Sequence, residues 1–196
     1  GARVRTAEVG DAGDVDGQVT LAKFTANGIE TLNIDNSATT TDKGKAAGDY
    51  LNTVTALVAD KATTLNLTGN ADLTLTTITS ATLTKIDART ATGDITITNA
   101  VGGASSVSYL GGSGKDSYKA TGGGDLLSGN GGADSFTLGA GKDTVAFSAV
   151  SDSTLTLTDT TVPADGVSDT ATGFDVITTF STGNDVLDIS SLGIAT

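Results

Sequence analysis

Four aspartates, Asp116, Asp125, Asp134 and Asp143, recur at nine-residue spacing. Each lies two residues after a glycine (Gly114, Gly123, Gly132, Gly141) and two before a large apolar residue (Tyr118, Leu127, Phe136, Val145). A unit this short cannot enclose a core by itself. It buries its apolar residue only by stacking on copies of itself, and stacking brings the carboxylates together. Stacked carboxylates repel, so the pattern predicts a cation between them. Gly-rich low complexity alone would supply glycine without phased Asp and phased apolar residues.

Composition agrees with a chain of turns and short strands. Of 23 acidic residues in the 196-residue chain only Glu8 and Glu30 are glutamates. Helical surfaces favour Glu, whereas turns and metal loops favour Asp. A net charge of −12 argues against nucleic-acid or anionic-membrane partners and suits divalent cations. No apolar run approaches a membrane span, so direct membrane insertion is not expected. No signal peptide opens the chain, and Gly1-Ala2-Arg3 reads as the start of a fragment. The absence of cysteine is compatible with export of an unfolded chain. With no His or Cys, triads, zincin motifs and thiol chemistry are excluded. Paired carboxylates could serve a glycosidase, but Asp in turns reads better as surface chemistry, so an enzyme is not expected. Gly122-Gly123-Gly124 is no phosphate loop, because no Lys-Ser/Thr follows it to open a helix.

Three zones follow. Residues 1–102 are Thr-rich, with period-two alternation in Thr31-Leu32-Asn33-Ile34, Thr64-Leu65-Asn66-Leu67, Leu73-Thr74-Leu75-Thr76 and Ile95-Thr96-Ile97-Thr98. Alternation with β-branched partners predicts half-buried strands. Strand starts about 18 to 20 residues apart predict rungs of a solenoid rather than hairpins. Ala46 to Asp60 fits a helical face, but its β-branched residues and Gly48 favour a strand. The cluster Asp11, Asp14 and Asp16 reads as a solvated loop before it reads as a site. Residues 103–146 hold the nonapeptides. Residues 147–196 form a looser end with a polar loop at Asp159 to Thr172.

In register, the repeats run 111–119, 120–128, 129–137 and 138–146. The first, GGSGKDSYK, matches G-G-x-G-x-D-x-U-x at every defined position, and the set resembles the RTX family. That resemblance implies a Ca²⁺-loaded parallel β-roll, with six residues in each turn and three in each strand. Departures are Ala120 and Leu138 at the first position, and Thr121 and Asn130 at the second. Phe147 to Leu155 keeps Asp152 in phase as a fifth half-turn without glycines, and Gly102 to Leu110 has Val107 where Asp belongs. With two nonapeptides per coil, Asp116 faces Asp134 and Asp125 faces Asp143 across the ~4.8 Å strand spacing. Each metal-free pair then repels by roughly 3 kcal/mol at an effective dielectric near 20. Calcium, which takes six to eight oxygen ligands in tolerant geometry, reverses the sign; magnesium fits less well.

The site expected from this resemblance comprises the carboxylates of Asp116, Asp125, Asp134 and Asp143. Turn positions Gly111, Gly112, Ser113, Gly114, Gly122, Gly123, Gly129, Gly131, Gly132, Gly139 and Gly141 complete it with carbonyls. The end of the chain resembles the C-terminal segment of serralysin-type proteases and other RTX proteins. Phe147-Ser148-Ala149-Val150-Ser151-Asp152-Ser153-Thr154 carries that likeness, with Asp175, Ile177, Phe180, Gly183, Asp185, Asp188 and Ser190. It implies a closing β cap in which Asp175 or Asp185 ligates a further Ca²⁺; a solvated capping strand is the alternative. The Thr-rich zone resembles solenoid stretches of RTX-type bacterial S-layer proteins.

The expectation is therefore an all-β parallel solenoid with a Thr-rich β-helical N-terminal part, a calcium β-roll and a short C-terminal cap. Its expected role is a structural, type I-secreted, Ca²⁺-dependent component of a cell-surface layer. It would assemble with itself into an array, with cell-surface polysaccharide as a candidate partner. The alternatives are the C-terminal folding module of a secreted protease or lipase, and an adhesin module.

Overall fold

The computed structural model describes residues 4–8, 19–38, 50–99, 106–120, 122–153, 156–157 and 171–192. The Thr-rich part contributes β1 (Val4–Glu8), β2 (Thr20–Leu21), β3 (Phe24–Thr25), β4 (Thr31–Asp35), β5 (Leu51–Val58), β6 (Thr64–Gly69), β7 (Asp72–Thr79), β8 (Lys85–Ala91) and β9 (Ile95–Asn99). The nonapeptide part contributes β10 (Ser108–Leu110), β11 (Ser117–Lys119), β12 (Leu126–Ser128), β13 (Ser135–Thr137) and β14 (Thr144–Ala146). Then come β15 (Thr156–Leu157), β16 (Ala171–Thr172), β17 (Val176–Thr178) and β18 (Val186–Asp188), followed by a 3-10 turn at Ser190–Leu192.

From β4 to β14 successive strands alternate between two sheets. One has the order β1-β4-β6-β8-β10-β12-β14-β18; the other runs β17-β13-β11-β9-β7-β5-β2, with β3 also on β5. Every pairing within these two sheets is parallel. The chain is thus an all-β parallel solenoid, one strand per sheet per coil. β5 is a strand, as its β-branched residues indicate. The near-copies Thr31-Leu32-Asn33-Ile34 and Thr64-Leu65-Asn66-Leu67 lie side by side in register.

The period-two pattern fills the space between the sheets. Leu32, Ile34, Leu65, Leu67, Leu73, Leu75, Ile86, Ile95 and Ile97 are buried, and the same cluster continues through Tyr109, Tyr118, Leu127, Phe136 and Val145. Tyr109 stacks on Tyr118 at 4.7 Å and meets Phe136 edge-on at 6.4 Å. The longer strands of the Thr-rich part turn two or more residues inward; each three-residue strand from β10 to β14 centres on one such large residue.

Two features depart from the sequence expectation. Coils in the Thr-rich part are longer than 18 to 20 residues. Cross-coil partners stand 33 apart at Asn33 and Asn66, and 22 apart at Asp72 and Asp94, against 18 at Asp116 and Asp134. Asp152 also does not continue the nonapeptide column. Its Oδ2 accepts the N–H of Ser148 (2.7 Å), the N–H of Ala149 (2.9 Å) and the Ser148 hydroxyl (2.8 Å), so the chain curls on itself there. After this excursion, which includes the antiparallel pair β15–β16, the chain returns to add β17 beside β13 and β18 beside β14. Asp11, Asp14 and Asp16, and most of the polar loop at 159–172, lie outside the described residues.

Candidate metal centre

The nonapeptide turns stack at two corners. At the first, the chain passes from β10 to β11 and from β12 to β13, through turns 111–116 and 129–134. At the second it passes from β11 to β12 and from β13 to β14, through turns 120–125 and 138–143.

Each corner carries a column of aspartates bonded to the backbone of the preceding coil. At the first, Asp116 Oδ1 accepts the N–H of Ile95 (3.0 Å), Asp134 Oδ1 accepts that of Asp116 (2.8 Å), and Asp175 Oδ1 accepts that of Asp134 (2.9 Å). At the second, Asp125 Oδ1 accepts the N–H of Val107 (2.7 Å), Asp143 Oδ1 accepts that of Asp125 (2.8 Å), and Asp185 Oδ1 accepts that of Asp143 (3.0 Å). The six Asp residues singled out from the sequence therefore form two columns of three. Asp175 and Asp185 extend the nonapeptide columns although no nonapeptide surrounds them.

The second carboxylate oxygens decide the chemistry. Asp116 Oδ2 accepts the Gly112 N–H at 2.8 Å. Oδ2 of Asp134, Asp143 and Asp175 is buried with no hydrogen-bond donor. Asp134 and Asp143 are 1% and 0% exposed. Burial pushes the Asp134 carboxyl up to about 8; the Asp116 N–H opposes this, and the neighbouring Asp116, Asp175 and Asp94 carboxylates add to it. Burial likewise raises Asp116 and Asp175, each to about 6. A buried anionic oxygen without a donor must take up a proton or a cation.

Among the described residues the donors beside the columns that suit a hard cation are carboxylates, turn carbonyls and, in the core, two phenols; Lys115 lines the same groove as Asp134. The Tyr109 hydroxyl is buried beside Asp116 and interacts with its carboxylate, while the Tyr118 hydroxyl is buried without a hydrogen-bond partner. Burial drives both phenols well above their ordinary range; Asp116 adds to the effect at Tyr109, and Asp125 and Asp143 add to it at Tyr118. Among the described residues no three acidic side chains converge on one point. A cation here would therefore rest on Asp pairs completed by backbone carbonyls, and the donor set fits that description.

Close approach explains most of the glycines. A Cβ on Gly111 would lie 2.4 Å from Asp116 Oδ2, and one on Gly129 would lie 1.8 Å from Asp134 Oδ2. Gly112 is pressed against the Ala91 carbonyl, and Gly114 against that of Gly93. Gly132 and Gly141 meet the carbonyls of Gly114 and Gly123 while also holding φ of +129° and +116°. Gly122 bridges Ala140, the residue after Gly139. Gly131 has nothing closer than 3.9 Å, so packing does not require glycine there, and Ser113 is exposed.

Sequence reasoning missed four contributors. Asp94 Oδ1 accepts the Lys115 N–H (2.6 Å), and Asp72 Oδ1 accepts the Asp94 N–H (2.8 Å), both outside the nonapeptide phase. The Asn130 side-chain amide donates to the Gly111 carbonyl (2.6 Å), and that of Asn184 donates to the Gly141 carbonyl. Elsewhere, a shallow groove on the outer sheet face is lined by Asn33, Asp35, Asn66, Asp87 and Arg89. Asp87 is already paired with Lys85 (2.9 Å) and Arg89 (2.7 Å), so its charge does not call for a ligand. Comparison of the chain with protein-family models, curated proteins and solved structures finds no match.

Proposed function

We propose that the chain is a secreted, non-enzymatic structural protein whose fold is completed by Ca²⁺, as a component of a bacterial surface layer. The observation that carries this reading is the buried Asp134 Oδ2, which has no donor and lies in a column with the carboxylates of Asp116 and Asp175. Asp116, Asp134 and Asp175 on one corner, and Asp125, Asp143 and Asp185 on the other, would hold the ions with carbonyls of the adjoining turns. Bound calcium would supply positive charge between stacked carboxylates. The chain's own part is to fix each Oδ1 on a backbone N–H and to keep water from the apolar space between the sheets. Calcium at tenfold its dissociation constant would add about 1.4 kcal/mol per site. Several such sites weigh heavily against a typical net stability of about 5–15 kcal/mol. Low calcium inside the cell and high calcium outside would then couple type I export to folding. Lateral self-assembly and polysaccharide anchoring belong to the same proposal.

A second reading is favoured by the segment that resembles serralysin-type ends, because β17 and β18 build the last coil. In that reading the chain is the folding module of a secreted protease or lipase. An HExxH or GxSxG motif upstream in a longer reading frame would select it. The primary reading is tested by circular dichroism during calcium titration, followed by electron microscopy. It expects β signal that grows with calcium, reverses with EGTA and is followed by two-dimensional sheets. An EGTA-insensitive β spectrum contradicts the calcium role, and calcium-loaded monomers at high concentration contradict the array.

A further inference from the structure

The two corners differ in the residue that opens each turn. At the first corner it is Gly111 or Gly129, and the space a side chain would fill is taken by the carboxylate: the virtual Cβ of Gly129 falls 1.8 Å from Asp134 Oδ2. At the second corner it is Ala120 or Leu138, which are 3% and 4% exposed and belong to the apolar cluster. There the turn opens on a side chain packed into the apolar cluster, where the first corner has a glycine overlain by the carboxylate.

The turns also differ in their access to water. Gly111, Gly112, Gly114 and Gly129 are buried, whereas Gly124, Gly139 and Gly141 are exposed. The carboxylates themselves are equally buried at both corners, Asp116 and Asp134 at 0% and 1% and Asp125 and Asp143 at 2% and 0%, so the difference lies in the turn backbone that would complete each site.

We infer that the corners are unequal cation sites: the glycine-opened corner of Asp116 and Asp134 binds Ca²⁺ tightly, and the Ala120–Leu138 corner of Asp125 and Asp143 binds it weakly. The inference rests on the calcium reading proposed above and assigns that reading to particular residues. The first corner fills first as calcium rises, and the second follows only when its apolar turn residues give way. The first is the folding trigger, and the second reports higher calcium.

The test is calorimetric titration of the full chain with calcium, comparing Asp134→Asn with Asp143→Asn. Asn keeps an acceptor for the backbone N–H of the preceding coil, so each column can still form. Unaltered protein gives a tight and a weak phase. Asp134→Asn weakens the tight phase by about tenfold or more. Asp143→Asn removes heat from the weak phase instead. Gly129→Ala, which puts a methyl group where the Asp134 carboxylate lies, acts like Asp134→Asn. Adding a glycine at the second corner through Ala120→Gly strengthens the weak phase. A single class of sites, or equal losses from Asp134→Asn and Asp143→Asn, overturns the inequality while leaving the calcium reading intact. No calcium heat in the unaltered chain overturns both.

Discussion

At the scale of single residues, Asp134 shows how one side chain can be favourable and unfavourable at once. Its Oδ1 holds the Asp116 N–H, while its Oδ2 is buried without a donor. Carboxyls whose folded values stand above the ordinary 3.8, at about 6 for Asp116 and Asp175 and about 8 for Asp134, keep their protons longer folded than unfolded. Between those values the folded state binds more protons, so metal-free stability falls as pH rises. The thermal midpoint in EDTA is therefore expected to be highest near pH 4 and to decline toward pH 8. Calcium should flatten or reverse the slope, because it stabilises the ionised form. Asp134→Asn should raise the EDTA midpoint at pH 8 and reduce the calcium-induced gain; a midpoint unmoved at pH 8 would show that the buried charge costs nothing. The phase of Asp116, Asp125, Asp134 and Asp143 was legible because a period exposes position. Asp152 has the same phase and was misread, because the local N–H groups of Ser148 and Ala149 that capture it leave no periodic mark.

At the scale of strands, the Thr-rich part is tied by a polar contact that alternation does not reveal. Asn52 and Asn36 are each 1% exposed. The Asn52 amide donates to Asn36 Oδ1 (2.7 Å), Asn52 Oδ1 accepts the Val19 N–H (2.7 Å), and the Asn36 amide donates to the Ala71 carbonyl (2.7 Å). Asn52→Ala takes the partner from the buried Asn36 Oδ1, at about 1–3 kcal/mol, and from the part-buried Val19 N–H, at less. Urea unfolding should show that loss equally in calcium and in EDTA, since the contact lies outside both Asp columns. Val54, and the pairing of β4 with β6, follow directly from β-branched alternation and near-copied sequence, whereas Leu57, three residues after Val54, turns inward out of that period. Asn52 was legible only as one polar member of an alternating strand, because its partner Asn36 lies 16 residues back, just past the end of β4. The return of β17 to β13 was equally hidden: the partners Asp134 and Asp175 stand 41 residues apart, against 18 within the repeats.

At the scale of the whole molecule, the two sheets pass from the Thr-rich part into the nonapeptides without interruption, but the apolar content of each coil falls. Strands β4 to β9 bury several large residues per coil, whereas each nonapeptide orders nine residues around a single large one such as Leu127 or Val145. Backbone ordering costs about 1–2 kcal/mol per residue, so the nonapeptide coils depend more on whatever neutralises their columns. Hydrogen exchange in EDTA should find amides of β4–β9 protected and those of β10–β14 exchanging fast, with protection spreading to the latter on adding calcium. Uniform protection in EDTA would contradict this division. The all-β solenoid itself was legible throughout, since period-two alternation and a fixed repeat leave few alternatives. The polarity of the columns was not. The amides of Ile95, Val107, Asp116, Asp125, Asp134 and Asp143 each meet a carboxylate found later in the chain. A ribosome delivers residues in the order in which these coils are sealed, each one a full coil behind its cap. Each newly made turn waits for its successor, so a nascent polypeptide carries an unfinished rim until synthesis has passed Asp185.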